Sequence, residues 1–350
     1  LVATGTIALL AVIVAPAIAQ QTVPSLGAIR WDAWCGGGVT DIVTTTLTPP
    51  QYHSRLPWFA QVADNGRVAI HGGTQATMDR EIAYAAAAGL DYWAFVMYAD
   101  GDPMSQGLKL YLSSTQRQGL RFCPILHHNI TGPQEQWPAE RDRLVKLLQE
   151  PSAMTIGAGR PLVYMFVSEP PRQRLAELQA AAAAAGLQPY YVLMGWSPAD
   201  DWREARSLGF DAISAYAAAG RGTYAQLTQR LERDLWAAAQ AQSCPLVPLA
   251  TTGWDRRPRI DCPPPWEANN QSTDWVETAT PQEIAAHLRR ALAWTMTHRE
   301  VTPAQTVLIY AWNEHDEGGW LCPTWRADGT PDDRRLQALA AMLREMRGPQ

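Results

Sequence analysis

Two glutamates three residues apart, Glu314 and Glu317, end the stretch Val307-Leu308-Ile309-Tyr310-Ala311-Trp312-Asn313-Glu314-His315-Asp316-Glu317-Gly318-Gly319. Paired carboxyl groups suit glycosidic bond cleavage, in which one protonates the leaving oxygen and the other assists at the anomeric side. Retaining enzymes hold the pair about 5–5.5 Å apart, a separation that a pair three residues apart can reach in a tight turn. Mutual repulsion raises one of the two pKa values, as a general acid at neutral pH requires. Other chemistries fit less well. His315 and Asp316 lack a HExxH motif or a second His–carboxylate cluster, so no metal is expected. No GxSxG elbow marks a serine nucleophile. No cofactor is expected.

The run before these acids is wholly apolar, like a buried strand that delivers ionisable groups at its carboxyl end. It is the last of eight similar units. Strands are predicted at 27–31, 90–97, 121–126, 161–166, 190–194, 210–214, 246–250 and 306–311. Helices are predicted at 77–88, 105–118, 139–149, 172–185, 201–207, 224–242, 281–297 and 332–347, with Thr280 and Glu283 as a capping box. Eight apolar strands alternating with helices indicate an α/β fold, a single (β/α)8 TIM barrel. An open doubly wound sheet would show a phosphate-binding glycine turn, and Gly36-Gly37-Gly38 has neither its spacing nor its helix. Residues 20–350 read as one catalytic domain. Long loops follow strands 1 and 7, at 35–74 and 251–280, on the face where a barrel keeps its active site.

Residues just past each strand share the barrel mouth. As candidate substrate-binding groups they are Trp31, Asp32, Tyr98, His127, His128, Asn129, Glu169, Trp196, Tyr216, Trp254, Asp255, Arg256, Asn313 and His315. Carboxylates, imidazoles, amides and aromatic planes together are what a sugar cleft requires. Fifteen tryptophans are many for 350 residues; most are accounted for as core, and a carbohydrate site would use several because sugar rings stack on such planes.

A net charge of −5 without a dense basic run argues against a nucleic-acid partner. Residues 1–19 are nearly continuously apolar from Thr6 to Ile18 and end in Ala17-Ile18-Ala19, a small-x-small cleavage signal. They read as a signal peptide, with an uncleaved anchor as the competing reading. Export to the periplasm or outside the cell follows, with no membrane span in the mature chain. A monomer is expected. An oxidising compartment permits disulfides, and of five cysteines Cys262 and Cys322 lie in Pro/Trp-rich loops that one bridge could join.

The Ala311–Gly318 segment resembles the AWNEW-x-EG signature of glycoside hydrolase family 99 and the related WbsX-like proteins. Leu321-Cys322-Pro323-Thr324 is similar to the continuation of that signature. Val247-Pro248 followed by Gly253-Trp254-Asp255-Arg256-Arg257-Pro258-Arg259 looks like the family's GWDN-x-PR segment. Phe210–Tyr216 and Gly159–Tyr164 match in character and order, so the resemblance runs from about Trp31 to the C-terminus. It implies a (β/α)8 barrel acting with retention on an α-mannoside-like glycan or bacterial surface polysaccharide, without metal or cofactor. It assigns Glu314 to deprotonating the sugar 2-hydroxyl, giving a 1,2-anhydro intermediate, and Glu317 to general acid/base work. His315 stands where the family usually has Trp, and Arg256 where Asn is common. A non-catalytic glycan-binding barrel and a transglycosylase or glycosyltransferase-type protein are the other readings of the same residues.

Overall fold

The computed structural model describes residues 23–348, so the signal-peptide reading of 1–19 lies outside the described residues. Eight parallel strands form the centre. They are β1 (Ser25–Arg30), β2 (Tyr92–Val96), β3 (Arg121–Leu126), β4 (Arg160–Met165), β5 (Tyr190–Met194), β6 (Ala212–Ser214), β7 (Leu249–Thr251) and β8 (Thr306–Tyr310). Neighbours pair in sequence order, and β8 pairs with β1 in the register Ala28↔Ile309. Closure between β6 and β7 uses the residues ahead of β7. Ile213 pairs with Leu246, and the Ser214 hydroxyl donates to the Val247 carbonyl at 2.8 Å. The result is the expected (β/α)8 barrel.

The helices that cover the barrel are α1 (Gln75–Ala87), α2 (Gln106–Ser113), α3 (Trp137–Leu148), α4 (Arg172–Ala184), α5 (Pro198–Ser207), α6 (Tyr224–Leu231), α7 (Pro281–Thr297) and α8 (Arg334–Arg347). The loop after β1 carries a further helix, Gly37–Leu47, so a helix does follow Gly36, contrary to expectation, although the phosphate-turn spacing is still lacking. Thr280 and Glu283 make the capping box of α7. Helix α2 stops five residues short of its expected end. The Ser114 hydroxyl accepts the Gln116 N–H instead, and Gln118 and Gly119 then turn left-handed. The helix expected over 224–242 continues past α6 through a π-helical stretch, Glu232–Ala237.

The strands are buried on both faces because side chains fill the barrel and helices cover it. Inside, the Tyr92 hydroxyl meets those of Tyr164 at 2.9 Å and Thr306 at 3.1 Å. Gly27 makes room for this layer, since a Cβ there would come within 2.2 Å of the Tyr92 ring. The loop after β1 has a small core of its own, built on Trp34, Val43, Leu47, Leu56 and Ile70. It meets the loop after β7 where the Arg55 guanidinium donates to the Asp255 carboxylate and, at 2.8 Å, to the Asp255 carbonyl.

All five cysteines are free thiols. The expected Cys262–Cys322 bridge is therefore absent. Cys322 is buried against β8, with its sulfur 3.4 Å from a Glu81 carboxylate oxygen, whereas Cys262 is half-exposed at the end of the Arg257–Asp261 helix. Among the described residues no helix is long and apolar enough to cross a membrane.

Candidate active site

Past β8 the chain forms a two-rung hairpin. Asn313 pairs with Trp320 and Glu314 with Gly319, around a 3-10 turn at His315–Glu317. Gly318 closes the turn at φ 85°, and a Cβ there would lie 2.4 Å from the Asp255 amide nitrogen. Only glycine meets both demands. The turn aims Glu314 and Glu317 into one cleft at the carboxyl end of the barrel, with a volume of about 500 Å³.

Each carboxylate has its own supports. Glu314 accepts the Tyr216 hydroxyl at 2.7 Å, and its other oxygen is 3.7 Å from Nη2 of Arg259. Glu317 accepts the Tyr310 hydroxyl, and Nη1 of Arg259 donates to its other oxygen at 2.5 Å. Buried Arg259 also donates through Nε to Asp316 at 2.7 Å and through Nη1 to Glu267 at 2.8 Å. Four carboxylates thus gather round one guanidinium.

Burial, then the charge of Glu317, pushes Glu314 well above the ordinary carboxylate value, against the pull of Arg259. Burial also raises Glu317, but Arg259 and the Tyr310 hydroxyl oppose the shift. The pair titrates as a unit. Of the two, Glu317 has the closer cation.

Of the residues expected at the mouth, Trp31, Tyr98, His127, His128 and Tyr216 line the cleft with the two glutamates. Trp31 is fixed from two sides. Its indole N–H donates to the Tyr98 hydroxyl at 2.8 Å, and its backbone N–H and C=O bond the Asn313 side chain at 2.9 and 2.7 Å. Asn313 therefore orients Trp31 from beneath. His127 is held by the Phe166 carbonyl, and burial lowers its pKa.

The others stand apart from the cleft lining. Asp32 is buried in an ion cluster in which Arg30 bonds both Asp32 and Glu81 of α1. Asn129 accepts the His127 backbone N–H and donates to Glu140. Asp255 takes Arg55 and Arg257, and Arg256 pairs with Glu267. Trp254 packs beside Tyr310, with ring centroids 6.0 Å apart. Glu169 is exposed, and Trp196 is 69% exposed, edge-on to Phe166. His315 is fully buried, with Nδ1 on the Arg55 carbonyl and its ring stacked on Trp320. Burial pushes its pKa down to about 3, so it stays neutral.

Sequence reasoning missed Arg259, Tyr310, Phe166, Val39 and Trp266. Phe166 ends a predicted strand, but its stack on Tyr216 (4.5 Å, 16°) depends on barrel closure. Arg259 closes the Trp-Asp-Arg-Arg-Pro-Arg run, and its match to the last residue of the GWDN-x-PR segment is the sequence signal that could have found it. Among the described residues no cluster of three or more His, Cys, Asp or Glu is arranged to hold a metal ion.

Fold and site together define a (β/α)8 barrel with a carboxylate-bearing cleft at the carboxyl ends of its strands. No protein-family model matches the chain, and no curated protein does. Two solved structures of a GH99 endo-α-mannosidase from Bacteroides thetaiotaomicron are similar. The complex with bis-tris propane has a TM-score of 0.61 at 16% identity, covering 93% of this chain and 98% of that one. The second structure has a TM-score of 0.60 with the same identity and coverage. At that identity the likeness concerns the fold.

Proposed function

We propose that the chain is an exported glycoside hydrolase that cleaves an α-mannoside-like glycan with retention, using Glu314 and Glu317. The observation that carries this reading is that both glutamates open into one aromatic-lined cleft while sharing the cation Arg259. Glu314 takes the proton of the sugar 2-hydroxyl as O2 attacks C1. The glycosidic C1–O bond breaks, and Glu317 donates its proton to the leaving oxygen. In the second half, Glu317 accepts a proton from water as the water oxygen bonds C1, and O2 leaves C1 and recovers its proton from Glu314. Two inversions give retention.

Substrate adjusts the proton distribution for this work. A 2-hydroxyl donating to Glu314 favours its ionised form, and a glycosidic oxygen accepting from Glu317 favours its protonated form. Of the charged groups that line the cleft, two are carboxylic acids, Glu314 and Glu317, and one is a cation, Arg259, which supports an uncharged glycan over a uronate polymer.

A panel of α-mannans and bacterial surface polysaccharides, assayed for reducing ends with wild type and Glu317→Gln, tests the reading. Release by wild type and loss of release in the variant is expected; equal release by both sinks it. Saturable binding without product identifies a glycan-binding barrel instead, and transfer products formed with an added acceptor identify a transglycosylase. Export predicts a mature chain beginning at Gln20, checked by N-terminal sequencing of secreted protein. Light scattering of that protein checks the expected monomer.

A further inference from the structure

Three large apolar side chains are notably exposed among the described residues: Trp196, Trp266 and Trp275. Trp275 is covered by the Arg257 guanidinium, 4.0 Å from its ring centroid. Trp196 stands outside the cleft lining. Trp266, 47% exposed, is the one that lines the same cleft as Glu314 and Glu317. Its ring meets Trp31 at 83° with centroids 6.2 Å apart, so the two indoles form an open corner. A structural indole would bury both faces, and this one leaves apolar surface facing the cleft.

The segment carrying Trp266 is built to hold it still. Pro263, Pro264 and Pro265 precede it, and fixed φ angles reduce the entropy lost in ordering the ring. Glu267, on the same 3-10 turn, then bridges two buried arginines, Arg256 and Arg259. Arg259 is the cation shared by the glutamate pair. We propose that Trp266 is the sugar-stacking platform of a subsite beside Glu314 and Glu317, and that Glu267 is the positioning residue that latches this platform to Arg256 and Arg259. The inference rests on the glycosidase reading and adds a specificity-determining aromatic to it.

The latch has a second consequence that simple anchoring lacks. Glu317 faces Arg259, Tyr310, Asp316, Glu267 and, across the pair, Glu314. The charge of Glu267 raises the Glu317 pKa directly and also draws on Arg259. Glu267→Gln therefore lowers the Glu317 pKa and moves the alkaline limb of the rate profile to lower pH. Trp266→Ala leaves that limb in place.

The experiment measures reducing-end release from yeast α-mannan by wild type, Trp266→Ala, Trp266→Phe and Glu267→Gln, each first shown by circular dichroism to melt cooperatively. Trp266→Ala is expected to raise KM about tenfold, equivalent to about 1.4 kcal/mol, with kcat held within a factor of about two. Trp266→Phe restores most of the loss. Glu267→Gln raises KM and shifts the alkaline limb downward. An unmoved KM in Trp266→Ala alongside wild-type turnover overturns the platform, and an unshifted limb in Glu267→Gln overturns the latch. Neither turnover nor mannan binding by wild type overturns the α-mannoside reading itself, and with it this inference.

Discussion

Nη1 of Arg259 lies 2.5 Å from Oε1 of Glu317, whereas the approach of Arg259 to Glu314 is 3.7 Å, through Nη2. This asymmetry separates two otherwise similar buried acids. It leaves Glu314 the more strongly raised of the pair and keeps Glu317 nearer its ordinary value.

Burying Glu314 costs stability above its ordinary pKa of 4.5. Between that value and its raised folded pKa the native state binds more protons than the unfolded one, so stability falls as pH rises. Glu314→Gln removes this loss. Its thermal midpoint should exceed that of wild type at pH about 8 and converge with it near the unfolded pKa, while glycan turnover disappears. A variant that melts below wild type across the whole range contradicts the pKa direction.

Arg259 is the cation shared by Glu314, Asp316, Glu317 and Glu267. Arg259→Met should destabilise the chain by about 3–5 kcal/mol, since it strands buried carboxylates. Arg259→Lys should recover little, because one ammonium cannot reproduce the several directed N–H donors. Urea unfolding at neutral pH measures both. A loss below about 1 kcal/mol for Met, the range of exposed pairs, argues that the cluster is solvated.

Neutral His315 acts in the opposite pH direction. Its pKa falls from 6.5 to about 3 on folding. Across that window the unfolded state binds more protons, so the group's stabilisation is present above its unfolded pKa and is lost as pH falls. The slope is at most about 1.4 kcal/mol per pH unit. His315→Gln should flatten the acid side of a stability–pH curve. An unchanged acid limb points to other groups, such as buried His287, as the cause.

The free thiols give a covalent check. Denatured protein prepared without reductant should titrate five thiols, and native protein fewer, because Cys123, Cys244 and Cys322 are buried. Three thiols after denaturation restores the bridge between two of the cysteines.

Much of the barrel was legible because most strands are built round a short apolar run between helices. The β3 and β5 bounds agree with the sequence reading to the residue, and β8 to within one. The ends depended on less visible features, such as the Ser114 hydroxyl that stops α2. At the site, strand-end counting located the shared mouth but gave no side-chain direction. Asp32 follows the first strand as Trp31 does, yet it turns toward Arg30 while Trp31 faces the cleft. Arg259 and Trp266 were hidden because a loop has no period from which to read a facing direction. The disulfide expectation failed for a related reason. Loop composition says nothing of distance, and Cys322 is tied to the β8 hairpin beside Glu81.

The central claim is that Glu314 and Glu317 cleave a glycosidic bond with net retention. Proton NMR of the first product released from α-mannan tests it most directly. The account predicts an α-anomer that forms before mutarotation and is absent with Glu317→Gln. A β-anomer as first product, or undiminished release by Glu317→Gln, would contradict it.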